Sequence, residues 1–592
     1  MADLFVISNG TGKVYRYDGS TWSQYANAPI TWPSPNTSNP QALLFAYRGK
    51  ILALVGRTSV LMDLYRLDAG GTWTALATGI ARVAYARFSG AARYRGKIYV
   101  PLVTASQQIK LMEWDGSSAV INDATGMWDD CADYSTANVN TPHGGCIKAW
   151  RERLLLGQYA QSHNDSALEW VEYPNFLYAL DPVAGAGVSY QKLLGGPEGS
   201  HLTSVRYPNR TGYPVSVYDA IQRTHLGYGL YQGKIYVLGV DGGVREYTPA
   251  GVVTPTPIFS FRSAFSVLGP FTAHASANPD PDGLRVALSS GGRLQFRELI
   301  VGMEVTCDGR VGVCVGQDAG TDPVTLYLRD DSDVPMGNFP AGASYTVKQG
   351  LGYVYGLTND FYYGNIAAAF FGEYAGVMYV LICGTQRVQL SPGARCPSIL
   401  ARWDGVTASF TSILYSSATL NAAGANVQID QSTGRMHVIH YASLTDTTVE
   451  WRHVEIDLTA NPPVVLSSTA FASETWTTYV SRWGMGYEQS VAFNLDRPTA
   501  EVTNLAYDPT TNKMTVTYIL YDDSSNNCNI TVETDYGTGW FEATRKGVEG
   551  EGKTNLTASP SGETHTFVHD IGADGSPQVN RIQYKITASQ VG

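Results

Sequence analysis

Charged side chains are scarce in this chain. Asp, Glu, Lys and Arg make up 16% of its 592 residues, whereas about a quarter is usual. The net charge is −11 and no block of Lys and Arg stands out, so the sequence does not support the electrostatic footprint of a nucleic-acid-binding protein. No stretch of 18 apolar residues occurs, so we expect no helix that inserts into a membrane.

Targeting signals and the motifs of common catalytic sites are also missing. The start, MADLFVISNGTGK, has no basic region, no long apolar run and no cleavage site, so we expect synthesis in a cytoplasm without a secretion signal. The seven cysteines contain no C-x-x-C pair, and their odd number argues against a complete disulfide framework. G-x-S-x-G, H-E-x-x-H and phosphate-binding-loop motifs do not occur. We therefore expect no enzymatic activity, no cofactor and no resident metal.

A repeated pattern dominates what the sequence does contain. A turn that ends in Gly, usually with Lys or Arg, leads into an apolar strand, and a further strand ends in an aromatic residue and Asp. Repeats of about 45 residues built from β-strands are typical of propeller blades. We therefore predict an all-β fold with a β-propeller of about seven blades, with six or eight as alternatives. The copies begin near Leu4, Tyr47, Tyr94, Arg153, Tyr231, Val377 and Arg435.

The first copy lacks its opening strand. In closed propellers a strand from the far end of the chain often completes the first blade, because ring closure removes exposed sheet edges. The stretch 488–495, EQSVAFNL, is the predicted closing strand.

The spacing of the copies predicts the domain boundaries. The interval between Lys234 and Val377 is too long for one blade, so we predict an irregular blade near DGLRVALSS and an insertion after it. The propeller then covers 1–297 and 351–497, and a small β-barrel-like module covers 298–350. The last segment, 498–592, has alternating strands and frequent turn signals, which indicate a β-sandwich of the immunoglobulin or fibronectin-III type.

Four tryptophans are the candidate contact residues. They recur near the turn between the third and fourth strands of the repeat, where an exposed ring could stack on a sugar or contact a partner. Their regular place in the repeat favours packing between blades instead. These residues are Trp22, Trp73, Trp114 and Trp403.

Two other groups invite a chemical interpretation. His437 and His440 lie on one predicted strand, with His453 nearby. Residues three apart on a strand point to opposite faces, so this pair cannot converge on one metal. Glu169 and Glu172 have the same spacing and cannot form the close carboxylate pair of a glycosidase. Acids from different blades could still do so, and this alternative stays open.

Some segments resemble known families. Asp68-Ala-Gly-Gly-Thr-Trp73 fits the D-x-G-x-T-W part of an Asp box, and Asp535 to Trp540 fits D-x-G-x-x-W, so the repeats resemble kelch-like and Asp-box propellers. In such boxes the Asp caps backbone N–H groups and carries no activity. The segments MTVTYILYDD, ITVETDYGTGW, VHDIGADG and RIQYKITAS resemble fibronectin-III-like modules of bacterial surface and phage virion proteins.

The whole arrangement resembles virion proteins of tailed bacteriophages. That resemblance implies a non-enzymatic structural component of the tail or tail tip, located in the virion after synthesis in the host cytoplasm. Its partners would be other tail proteins in a symmetric assembly, with a host-surface glycan or protein as a further contact. The alternatives are a secreted carbohydrate-active propeller protein, either a sialidase- or glycosidase-like enzyme or a lectin, and a bacterial surface adhesion module.

Overall fold

The computed structural model describes most of the predicted strands. It describes residues 3–8, 10–31, 42–47, 50–57, 61–81, 87–88, 90–94, 96–103, 109–123, 147–150, 153–158, 176–183, 187–194, 227–239, 242–247, 257–264, 267–275, 283–286, 304–317, 324–330, 334–348, 366–384, 399–413, 421–431, 433–443, 448–475, 489–494, 498–522, 527–536, 540–559, 562–575 and 582–590. The one helical element among these residues is a short 3-10 helix, Phe261–Ala264. No helix in the described ranges has the length and apolarity needed to cross a bilayer.

Seven antiparallel sheets carry the repeats, and we number them as blades in chain order. Blade 1 contains β1 (Asp3–Ser8), β2 (Lys13–Tyr17), β3 (Trp22–Asn27) and β36 (Gln489–Asn494), and blade 2 contains β4 (Ala42–Tyr47), β5 (Lys50–Gly56), β6 (Leu61–Leu67) and β7 (Trp73–Ala81). Blade 3 contains β8 (Arg87–Phe88), β9 (Ala92–Tyr94), β10 (Lys97–Val103), β11 (Ile109–Trp114) and β12 (Ala119–Asp123). Blade 4 contains β13 (Ile147–Trp150), β14 (Arg153–Gln158), β15 (Phe176–Val183) and β16 (Gly187–Leu194). Blade 5 contains β17 (Gly227–Tyr231), β18 (Lys234–Leu238), β19 (Gly243–Glu246) and β20 (Phe259–Ser260). Blade 6 contains β28 (Ile366–Tyr374), β29 (Val377–Gly384), β30 (Ile399–Trp403) and β31 (Ala408–Ser412). Blade 7 contains β32 (Asn421–Asp430), β33 (Arg435–Ser443), β34 (Thr448–Asp457) and β35 (Val464–Thr475).

Blade 1 is assembled from both ends of the propeller sequence. Strand β36 lies within the stretch 488–495 that the sequence analysis assigns to closure, and it pairs antiparallel with β1, so that Val6 is opposite Val491. The first strands of neighbouring blades contact each other, as β17 does β28, β28 does β32, β32 does β36 and β36 does β4. These strands therefore line the axis of the ring.

Apolar side chains hold successive blades together. The second strand of each blade is buried on both faces, so alternate residues pack against the blade before and the blade after. Ile235 and Val237 pack against blade 4, and Tyr236 and Leu238 pack against blade 6. Six clusters of this kind join blades 1 to 7 in order. Blade 7 meets blade 1 through Phe471 and other residues described below, so the described sheets form a closed ring of seven blades, which confirms the predicted fold class.

The repeated turn links neighbouring blades through its aromatic residue. Tyr47 donates a hydrogen bond to the carbonyl of Gly96 in the next blade over 2.7 Å, and Tyr231 does the same to Gly376 over 2.6 Å. The basic residue of the turn forms an ion pair with the third strand of its own blade: Lys97 with Glu113, Lys234 with Glu246 and Arg435 with Glu455. The residues of the repeat therefore make contacts both within a blade and between neighbouring blades.

The inserted module is one sheet that begins earlier than the sequence analysis places it. Its strands are β21 (Val267–Thr272), β22 (Gly283–Val286), β23 (Glu304–Cys307), β24 (Arg310–Gln317), β25 (Val324–Arg329), β26 (Pro335–Met336) and β27 (Ser344–Lys348). Strand β21 pairs with β27 and β22 pairs with β25. The segment that the sequence analysis predicts to be an irregular blade, which contains β22, thus belongs to the insertion. A single apolar strand has the same sequence pattern in a blade and in an inserted sheet, and only its pairing partner distinguishes the two.

The C-terminal segment folds as two facing sheets. Strands β37 (Thr499–Asp508), β38 (Lys513–Tyr521), β41 (Arg545–Gly550) and β42 (Glu563–Asp570) form one sheet, and β39 (Cys528–Asp535), β40 (Trp540–Glu542) and β43 (Gln583–Gln590) form the other. Their inner faces share one core in which Val516 and Phe567 meet Ile530 and Val532. This is the predicted β-sandwich.

Candidate functional site

Two of the four candidate tryptophans are buried. Trp114, at the end of β11, is 2% exposed and packs in the cluster between blades 2 and 3. Trp403, at the end of β30, is 9% exposed and packs against Tyr231 and Tyr236 of blade 5. Both rings therefore pack between blades, and neither exposes a face on which a sugar could stack in the closed ring.

The other two tryptophans are half-buried and also join blades. Trp73, the first residue of β7, donates from Nε1 to the carbonyl of Asn27 in blade 1 over 2.8 Å. Trp22, the first residue of β3, stacks on Phe471 of blade 7 with ring centroids 4.0 Å apart. A contact with a glycan or a partner stays a prediction for Trp22 and Trp73.

A buried carboxylate fastens blade 7 to blade 1. Glu474, near the end of the outer strand β35, is 3% exposed. Its Oε2 accepts from the Ser8 hydroxyl over 2.7 Å, and its Oε1 accepts from Thr11 over 3.0 Å and from Tyr15 over 2.6 Å. Burial and this carboxylate raise the pKa of the Tyr15 hydroxyl. Because a buried carboxylate is tolerated only when it is hydrogen-bonded, these three donors from blade 1 fix the end of blade 7.

A second polar chain crosses the same seam. Trp22 Nε1 lies 3.2 Å from His453 Nδ1, and His453 Nε2 lies 2.9 Å from His437 Nδ1. The indole N–H can only donate, so His453 Nδ1 must accept. The proton of His453 is then on Nε2 and is donated to His437, whose Nδ1 accepts in turn. The chain therefore requires both imidazoles to be neutral.

Burial keeps these two histidines neutral. Loss of hydration lowers the pKa of His437 to about 4, with Arg435 adding to the shift and Asp430 opposing it. Loss of hydration also lowers the pKa of His453 to about 3, and the neighbouring His437 and His440 contribute in the same direction. At neutral pH the seam therefore contains two uncharged rings whose centroids lie 5.1 Å apart and whose planes differ by 15°.

Neither the histidines considered as metal ligands nor the glutamates considered as a carboxylate pair give a further candidate site within the described ranges. No group of three or more His, Cys, Asp and Glu side chains there is placed to hold a metal ion. The pairing of His437 with His453 across two strands was not predicted, because sequence spacing shows which residues share a strand but not which lie opposite each other. Glu169 and Glu172 lie outside the described residues.

Capped Asp turns connect the third and fourth strands of several blades. Asp18, Asp115 and Asp404 each accept hydrogen bonds from backbone N–H groups two and three residues later. The N–H groups of Thr407 and Val406 lower the pKa of Asp404 to about 2. These carboxylates are engaged in shaping turns, as Asx turns do generally.

The first predicted Asp box has related geometry. Asp68 accepts from the Thr74 hydroxyl and from Arg66 Nε, and its carbonyl accepts from the N–H of Gly71. Gly71 has a φ of 78°, which a residue with a Cβ rarely adopts. In the second box, Asp535 to Trp540, the central residues 537–539 lie outside the described part.

Ion pairs attach both accessory modules to the propeller. Arg93 of blade 3 lies 2.5 Å from Glu501 of the sandwich, whose side chain is 8% exposed. Gly96 lies against the same carboxylate, and a Cβ at this position would overlap Glu501 Oε1. Arg262, on the helix that follows blade 5, lies 3.6 Å from Glu304 of the inserted sheet. The sequence analysis did not single out these pairs, because their partners are far apart in the chain.

Comparison with known proteins identifies no family for this chain. No family model matches the sequence, and no curated protein matches it. Several solved structures are similar to this chain at low identity and low TM-score. The SapL1 lectin in complex with alpha methyl fucoside is 8% identical, with a TM-score of 0.26, and the match covers 87% of this chain and 96% of the lectin.

Two further matches are of the same quality. The fucose-specific lectin from Aleuria aurantia is 12% identical, with a TM-score of 0.28, over 73% of this chain and 95% of the lectin. The WD40 domain of SCAP from fission yeast is 9% identical, with a TM-score of 0.28, over 80% of this chain and 88% of that domain. At such low TM-scores these similarities support no argument about function, and the propeller assignment rests on the seven sheets and their seams.

Proposed function

We propose that the chain is a non-enzymatic structural component of a tailed-bacteriophage virion, in the tail or tail tip. The observation that carries this proposal is the attachment of both accessory modules to the ring. Glu501 of the sandwich pairs with Arg93, and Glu304 of the inserted sheet pairs with Arg262. Glu501 is buried, so truncating Arg93 would leave its carboxylate without this partner in a mostly dry place, whereas Glu304 is also paired with Lys348 of its own sheet. The Arg93–Glu501 pair therefore favours a single fixed arrangement of the sandwich.

The ring itself has the features of a scaffold. Its closure uses a buried carboxylate, Glu474, and a chain of neutral side chains, and both are occupied by contacts between blades. These two polar clusters thus hold blade 7 to blade 1. Such a body acts through its shape and through the surfaces that it presents.

The sandwich offers a surface for a neighbouring protein. Strand β37 is at the edge of its sheet, and it exposes 42% of Leu505 and 38% of Tyr507. Exposed apolar side chains on an unpaired strand edge favour contact with another chain. We propose that the ring docks into the symmetric tail while the sandwich and the inserted sheet meet other tail proteins or the host surface.

Electron microscopy of the particle fraction tests this function. An antibody raised against the full chain would be used for immunogold labelling of particles purified on a density gradient, with mass spectrometry of the same fraction. We expect the chain to sediment with the particles and the gold to lie on the tail. A chain found only as free protein in the lysate or the medium would refute the proposal.

A pair of variants links the assay to the structure. Glu501→Gln removes the charge that pairs with Arg93, so we expect fewer particles that contain the chain. Glu542→Gln is the matched control, because Glu542 is an exposed glutamate of the same sandwich that pairs with Lys553. Equal incorporation of both variants would contradict the role of the docking pair.

The carbohydrate-active alternative makes a different prediction. A lectin would bind on a glycan array, and a glycosidase would release reducing sugar with turnover that disappears when one inward-facing Asp or Glu is changed. We expect no turnover from the purified chain. Turnover would replace the structural proposal with an enzymatic one.

A further inference from the structure

We propose that the seam between blades 7 and 1 is an acid-sensitive closure of the ring. Protonation of His437 or His453 breaks the hydrogen-bond chain that joins the two blades, and the ring opens at this seam before it opens at any of the other six. The proposal concerns regulation of the fold and holds whether or not the chain is a virion component.

The direction of the hydrogen bonds is the first argument. Trp22 donates to His453, and His453 donates to His437. A proton added to His453 would occupy Nδ1, which faces the indole N–H of Trp22 over 3.2 Å. A proton added to His437 at Nδ1 would face the N–H of His453 over 2.9 Å. Protonation of His453 places two donors against each other across the seam, so the contact between Trp22 and His453 is lost. Protonation of His437 places two donors against each other within blade 7. If His453 relieves that clash by moving its own proton to Nδ1, the new N–H again faces Trp22, so the contact across the seam is lost in this case too.

The position of the chain is the second argument. Tyr17 meets the His453 ring edge-on at 4.8 Å, and Phe471 stacks on Trp22. The two histidines are therefore enclosed between aromatic rings of blades 1 and 7, where a charge is poorly hydrated. A cation created there would have to regain water, and opening the seam is the route by which water reaches it.

The charged and titratable surroundings partly oppose and partly assist this event. Asp430 favours a cation at His437, whereas Arg435 and His440 disfavour one at the pair. Glu455 lies opposite His437 on the neighbouring strand but is also paired with Arg435. The groups that face the pair are Tyr17 on β2, Asp430 on β32, Arg435 and His440 on β33, and Glu455 on β34.

The pH range of this effect follows from the lowered pKa values of His437 and His453. In an unfolded or open seam a histidine titrates near 6.5, whereas in the closed seam the pKa is about 4 for His437 and about 3 for His453. The open state therefore binds protons first as the pH falls, and the stability of the seam is complete above the open-state pKa and declines below it. The apolar clusters of the other six seams do not titrate in this range.

Hydrogen exchange of the full chain, read by mass spectrometry, tests the proposal. After correction for intrinsic exchange rates, we expect peptides from β2, β3, β33 and β34 to exchange about tenfold faster or more at about pH 4.5 than at about pH 7, which corresponds to a pKa difference of about one unit. Peptides from β14 and β18, at the seam between blades 4 and 5, should change little. A uniform change in all blades, or no change at the seam, would overturn the proposal.

Two variants separate the histidines from the carboxylate in the same seam. In the double variant His437→Gln, His453→Gln each amide can accept and donate as the imidazoles do, but it does not titrate, so the acid response should disappear. Glu474→Gln keeps both histidines and should retain the response. An unchanged response in the double variant would assign it to another group and refute the proposal. If the double variant does not fold, the pattern of exchange in the unmodified chain still decides.

Discussion

Replacement of Glu474 by alanine should loosen the ring at one seam. The carboxylate accepts three hydrogen bonds from Ser8, Thr11 and Tyr15 inside a dry contact. A hydrogen bond to a charged group contributes about 1.5–3 kcal/mol, but the three hydroxyls can rotate toward other partners or admit water. We therefore expect a loss smaller than the sum of the three hydrogen bonds, about 3–5 kcal/mol. Glu474→Gln still offers Oε1 to Thr11 and Tyr15, so its loss should be about 1–2 kcal/mol.

Native-state hydrogen exchange is the suitable assay for this variant. A chain with three modules does not unfold in one step, so a single free energy of unfolding is poorly defined, whereas exchange reports opening at each strand. Loss of about 3–5 kcal/mol corresponds to an increase of about a hundredfold to several thousandfold in exchange at β1 and β3. The control is Glu542→Ala, which removes an exposed pair with Lys553 and should leave β1 unchanged. Equal exchange at β1 in both variants would refute the assignment of Glu474 as a fastening of the ring.

Three further predictions address the docking contact, the core and the turns. Gly96→Ala places a methyl group against the buried carboxylate of Glu501, so the carboxylate must move and its pair with Arg93 is disturbed. We expect this to loosen the sandwich, seen as an increased radius of gyration in X-ray scattering, whereas Gly376→Ala at the equivalent turn has open space and should cost only the backbone strain of about 1–2 kcal/mol that both variants share. Equal radii of gyration would contradict the contact. Trp403→Ala removes a buried ring between blades 5 and 6 and should destabilise the propeller by about 3–5 kcal/mol, measured as faster native-state hydrogen exchange at β18 and β30. A loss below about 1 kcal/mol would contradict its burial. Asp404→Asn should lower the melting temperature at neutral pH and have a much smaller effect near pH 2. The pKa of Asp404 is lowered to about 2, so its contribution is complete above the ordinary carboxyl pKa and is lost as the pH falls through about 2. A difference that is as large in acid as at neutral pH would contradict the charged cap.

The ring could be predicted from the sequence because the repeat encodes contacts that recur in several blades. The aromatic residue of the turn bonds to the glycine carbonyl of the next blade, as Tyr47 does to Gly96. The apolar second strand is buried on both faces by its two neighbours. The closing strand could be placed because the first copy lacks a partner that ring geometry demands.

The contacts that close the ring and that attach the sandwich to it could not be predicted in the same way. Ser8 and Glu474 are 466 residues apart, and Arg93 and Glu501 are 408 apart, and nothing in local spacing relates such residues. Burial, which gives Glu474 its importance, is likewise a property of the assembled seam. The start of the insertion was misplaced for the same reason, since the strand at 283–286 has its partner more than 30 residues later.

Cross-linking of β1 to β36 tests the closed ring most directly. Val6 and Val491 are opposite each other in an antiparallel pair, and opposite residues in such a pair lie about 4.5–5.5 Å apart at Cα, within the range that a disulfide bridges. In the double variant Val6→Cys, Val491→Cys, a closed ring predicts a disulfide within one chain, detected by peptide mass spectrometry without reduction. A chain that stays uncrosslinked under oxidation, or that forms this bond only between two molecules, would contradict closure of the propeller by its two ends.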